Sequence, residues 1–96
     1  MEQTAVPTVL PWVIFYTALV LGEPFENITE NTCFKEIGAT WYDKDVICDL
    51  VEKISEEIYG CEICLSESGR GISTETVGRL ARYTEDILDG KRAAQA

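Results

Sequence analysis

The sequence predicts a mainly α protein: an N-terminal hydrophobic helix, a membrane anchor or signal, followed by a small disulfide-stapled helical hairpin. Three observations predict it. An uncharged apolar run extends from Val9 to Leu21; two later stretches repeat apolar residues at helical spacing; and four cysteines are spread over 96 residues. A chain this short buries little surface per residue, so a covalent staple is expected to supplement its core.

The N-terminal run has neither helical nor alternating periodicity, being apolar on every side. Three environments suit such a segment: a membrane span, a signal-peptide core, or the centre of a soluble fold. Ala5 to Gly22 gives 18 uncharged residues, about 27 Å as a helix, just enough for a hydrocarbon core of about 30 Å. Val9–Leu21 also fits a signal core of about 7–15 residues, and Val20-Leu21-Gly22 offers a cleavage site, although no Lys or Arg precedes the run. Trp12, Phe15 and Tyr16 are then expected to contact lipid or a neighbouring helix.

Residues 23–32 read as an acidic linker. It contains the sequon Asn27-Ile28-Thr29, which makes Asn27 a glycosylation candidate on a secretory route; Asn31-Thr32-Cys33 is a poorer version. Residues 33–90 are expected to form the four-cysteine domain, with residues 91–96 as a tail. Phe34 to Trp41 is ambiguous between turn and short helix.

From Asp45 to Tyr59, Ile47, Leu50, Val51, Ile54 and Ile58 share one helical stripe. Asp43 or Asp45 can cap its start, and Gly60 suits a left-handed close. Asp49, Glu52, Glu56 and Glu57 face away. A loop, Ser66 to Gly71, leads to a second helix from about Thr74 to Asp89, with Ser73 as N-cap and Ile72 and Val77 as a staple. Val77, Leu80, Ala81, Thr84 and Leu88 make its inner face. Gly90 is expected to end it, with Lys91 and Arg92 on the negative pole of its dipole; in a secretory precursor the same triplet could mark processing.

An even cysteine count behind a membrane-directed segment reads as disulfides. Cys48 and Cys61 flank the first helix about 20 Å apart, beyond the roughly 7 Å a disulfide allows between Cα atoms. The expected pairs are therefore Cys33–Cys48 and Cys61–Cys64, with Cys33 bonded to the later pair as the alternative. Cys61-Glu62-Ile63-Cys64-Leu65 resembles the first knuckle of a RING-type zinc finger, but no Cys or His follows Cys64, so no metal is expected. A redox role is disfavoured too, because the pair follows a helix C-terminus beside Glu62 and Glu67.

The chemistry of the chain is narrow. It has no histidine, which removes Ser-His-Asp and Cys-His catalysis and the HExxH metal site. Asp43-Lys44-Asp45 lacks calcium-loop spacing, and Gly69-Arg70-Gly71 is too short to cradle phosphate. No enzyme, cofactor or small-molecule substrate is expected. Residues 23–69 hold twelve Asp/Glu against Lys35, Lys44 and Lys53, a surface that repels nucleic acid and anionic lipid heads.

These observations suggest a non-enzymatic interaction protein. Its expected form is a single-span accessory subunit of a membrane complex, anchored through residues 5–22, with the acidic domain in an oxidising, non-cytoplasmic space. The acidic balance reads first as solubility and otherwise as a docking face for a basic protein partner; Trp41 and Tyr42 are either core filling or join the three N-terminal aromatics as contact residues. The alternative is a secreted, disulfide-stapled helical ligand, toxin, effector or inhibitor, cleaved after residue 22.

Overall fold

The structure, a computed structural model, describes residues 9–60, 62–65 and 76–95, with backbone alone for 92–95. It is mainly helical: α1 (Leu10–Leu21), a single 3-10 turn at Phe25–Asn27, α2 (Trp41–Tyr59) and α3 (Val77–Gln95). Among the described residues there is no strand, only an isolated antiparallel bridge between Cys33 and Thr76.

α1 forms where Pro11 sits in the first turn, a position at which a missing N–H costs nothing. It closes at Gly22, whose φ of 68° is the left-handed conformation glycine adopts without strain; the Gly22 and Glu23 amides both donate to the Ala18 carbonyl. Val9, Val13, Thr17 and Ala18 are buried, and the Thr17 hydroxyl donates to the Val13 carbonyl at 2.7 Å. Both α2 and α3 pack against this helix. The bilayer span expected over residues 5–22 is not found in its described part, residues 9–22. Twelve residues of helix reach about 18 Å, and among the described residues no helix is long and apolar enough to cross a membrane. The all-round apolar character instead serves a helix with protein on two sides.

α2 begins at Trp41, four residues before the expected Asp45. Thr40 is the cap, in a reciprocal box: the Asp43 amide donates to Thr40 Oγ1 at 3.1 Å, and the Thr40 amide donates to Asp43 Oδ2 at 3.0 Å. Gly60 ends the helix at φ 70°, as expected. The buried face is Lys44, Ile47, Cys48, Val51 and Ser55, a stripe rotated from the expected one; Leu50 and Ile54 are half-buried and Ile58 is exposed. Lys44 lies over the Phe34 ring, with Nζ 5.1 Å from its centroid, so its cation meets a π face on the way out of the core.

α3 buries Val77, Leu80, Ala81, Thr84 and Leu88, the expected inner face. Its start is held by a distant segment. Val77 donates to the Thr32 carbonyl at 3.0 Å, Gly78 to the Glu30 carbonyl at 2.8 Å, and Arg79 to Thr76 Oγ1 at 3.1 Å. Three of the four amides a helix N-terminus leaves open are thus satisfied. The expected cap, Ser73, lies outside the described residues; Thr76 is the residue seen capping. Gly90 does not end the helix, which runs on to Gln95. Ile63 and Leu65 complete the core, the latter tied to α2 by its amide, which donates to Glu52 Oε2 at 2.6 Å.

Candidate interaction surface

Helix α1 presents more apolar surface than its two neighbours cover. Phe15 and Leu19, four residues apart and therefore stacked along one face, are 45% and 62% exposed. Where α1 ends, the chain turns through Pro24 and places Phe25, 56% exposed, next to them. Phe15, Ala18, Leu19, Gly22, Glu23 and Phe25 line a groove of about 460 Å³. Trp12, Phe15 and Tyr16 form an aromatic cluster around its start, with ring centroids 5.4 to 6.4 Å apart. Tyr16 is the member turned toward α2: burial pushes its phenol pKa up, and the charge of Glu57 adds to the rise.

Trp41 and Tyr42, in the first turn of α2, stack edge to face at 6.2 Å and stand 78% and 63% exposed. An exposed tryptophan costs solvation free energy that a folded chain usually recovers by burial. The structure gives this pair no core-filling role. Asn27 is exposed, but Ile28 beside it is buried, so the linker carries an apolar anchor the sequence reading missed.

The cysteines do not staple the described fold. Cys33 is half-buried at the bridge to Thr76, Cys48 is buried in α2, and Cys64 is exposed; no disulfide joins any of them. Neither expected pair, Cys33–Cys48 nor Cys61–Cys64, is therefore formed; Cys61 itself lies outside the described residues. Cys64 opens onto a second cleft of about 470 Å³ with Glu52, Glu62, Ile63 and Lys91. Among the described residues no group of His, Cys, Asp or Glu is arranged to hold a metal ion.

Of the aromatics singled out from sequence, Trp12, Phe15 and Tyr16 are brought together and Trp41 pairs with Tyr42. Leu19 and Phe25 complete the groove and were not anticipated. Phe25 had a readable signal, a lone aromatic between acids in a polar linker. Leu19 had none, because a helix that is apolar on every side does not reveal which side stays in water. No family model, curated protein or solved structure matches the chain.

Proposed function

We propose that this chain is a non-enzymatic interaction protein that docks a basic protein partner through apolar side chains it keeps in solvent. The observation that carries the reading is the coexistence, among the described residues, of six large exposed hydrophobic side chains (Phe15, Leu19, Phe25, Trp41, Tyr42 and Ile58) with a net charge of −9 for the chain. Exposed apolar patches of this kind mark contact sites, and Trp and Tyr dominate the energetics of such contacts. The charge selects the partner: an acidic surface accelerates encounter with a basic protein and repels nucleic acid and anionic lipid. The absence of histidine from the chain fits a role without general acid–base chemistry.

The test is photo-crosslinking in the native cell from three positions of the full chain: Leu19, Trp41 and, as a control on the acidic face of α2, Glu56. A discrete adduct to a protein with a basic surface, from Leu19 or Trp41 and not from Glu56, supports the reading. Adducts of equal yield from all three positions, or none, overturn it.

A further inference from the structure

We infer that the groove at the C-terminal end of α1 receives a basic amphipathic segment of the partner, its apolar side chains on Phe15, Leu19 and Phe25 and its cation at Glu23. This deepens the docking reading above and rests on it. The groove joins two features that a single ligand chemistry satisfies together. Its floor is apolar and partly aromatic, built from Phe15, Ala18, Leu19 and Phe25, in a shallow, open depression of about 460 Å³. One acid, Glu23, stands on its rim. Ala18 and Gly22 belong to the closing turn of α1, where helix dipoles leave roughly half a negative charge.

Lys or Arg in the last turn would favour a helix end of that sign, and α1, like α2, has none there. Glu23 lines the groove and Glu26 follows in the 3-10 turn, while no Lys or Arg occurs anywhere before Lys35. The local sequence thus supplies acid and apolar surface and withholds the cation. A Lys or Arg with its methylene stem on Phe15 or Phe25 and its head at Glu23 meets each of these at once. A second copy of the chain is a poorer occupant, since two molecules of charge −9 repel. A bilayer surface supplies apolar contact but, when anionic, the wrong sign of charge.

The experiment is an NMR titration of the full ¹⁵N-labelled chain with a short helix-forming peptide of leucine and lysine on opposite faces. A matched peptide carries Glu at every Lys. Saturable shifts centred on Phe15, Leu19, Gly22 and Phe25 are expected from the basic peptide alone. Leu19→Ser, which leaves the charge unchanged at an exposed site, is expected to weaken binding about tenfold. Glu23→Gln is expected to weaken it less and to flatten its salt dependence. Shifts centred on Trp41 and Tyr42 would overturn this site while leaving the docking reading intact. Shifts spread over all acidic faces and indifferent to Leu19→Ser overturn it as mere charge attraction. Equal shifts at the groove from phosphatidylcholine vesicles overturn it in favour of a lipid surface.

Discussion

Gly78 is the position where one methyl group tests how the fold is held together. A Cβ built there would meet the Glu30 carbonyl oxygen at 2.8 Å and Glu30 Cβ at 3.2 Å. Real Cβ atoms do not approach a backbone oxygen so closely, so Gly78→Ala must push residues 30–32 away from the start of α3. That movement stretches the bonds from Gly78 to Glu30 and from Val77 to Thr32, each of which contributes about 1 kcal/mol net. Overpacking adds a further ~1 kcal/mol or more. Alanine's better helix propensity returns at most ~1 kcal/mol, and less in a first turn. The net expectation is a loss of about 2 kcal/mol, which lowers Tm by about 8–16 °C in a domain of this size.

Gly90 is the internal control. It lies in the same helix, is exposed, and nothing lies within 4 Å of a Cβ placed there. Gly90→Ala therefore gains propensity alone, and Tm should rise by about 4–8 °C. Thermal unfolding of both variants by far-UV circular dichroism is the assay. If Gly78→Ala is as stable as the parent chain, or if the two substitutions move Tm the same way, the contact between residues 30–32 and α3 is not as described.

Further consequences are equally accessible. Thr40→Ala breaks the box at the start of α2 and should cost about 1 kcal/mol by urea unfolding; an unchanged midpoint would mean α2 does not begin at Trp41. In an ultraviolet titration, Tyr16→Phe should remove a phenol that ionises above the usual value near 10, and Glu57→Gln should move that step only partway down, because burial is the larger cause. Since the folded-state pKa is the raised one, folding favours the neutral phenol. Its contribution is present below pH ~10 and is lost as the unfolded chain ionises first above that pH. In a Cys61→Ser background, a thiol reagent should modify exposed Cys64 fast and buried Cys48 only as slowly as the core opens; equal rates would contradict the placement of Cys48. Val13→Lys puts a charge in the core and should unfold the domain, whereas Leu19→Lys should change stability by no more than ~0.5 kcal/mol. Equal damage from the two would argue that α1 is not seated on α2 and α3 as described.

What could be read from the sequence was local. Gly60 stops α2 because a left-handed residue is needed there and glycine supplies it, and the inner face of α3 is legible because Val77, Leu80, Ala81, Thr84 and Leu88 keep one helical stripe. Thr40 and Asp43 also form a local signal, passed over because Asp43 alone suffices as a cap in sequence. The register of α2 was harder. Lys44, Cys48 and Ser55 look polar or neutral in a string of letters, yet they point inward while Ile58 does not, because neighbouring elements and not composition choose the face. The hold on α3 from Glu30 and Thr32 spans more than forty residues and leaves no periodic trace. Gly90 looked like a stop for the same reason Gly60 did, but glycine permits a left-handed turn without requiring one. The cysteine count carried no geometry at all.

The apolar run at residues 9–21 explains both the fold and the proposed site. A uniformly apolar helix packed, among the described residues, on two other helices has more greasy surface than those neighbours cover. Val9, Val13 and Ala18 take the covered sides, and the remainder, Phe15 and Leu19, faces water. Those side chains meet water in the folded and unfolded chain alike, so replacing Leu19 with a polar residue changes stability little. The turn after Gly22 sets a third apolar side chain, Phe25, against the first two, with Glu23 on the same groove and no Lys or Arg in the sequence before Lys35. Excess apolar surface by itself would argue only for poor solubility. Apolar surface concentrated at a helix's negative pole, in a stretch that supplies no counter-charge, argues for a partner that brings the cation with it.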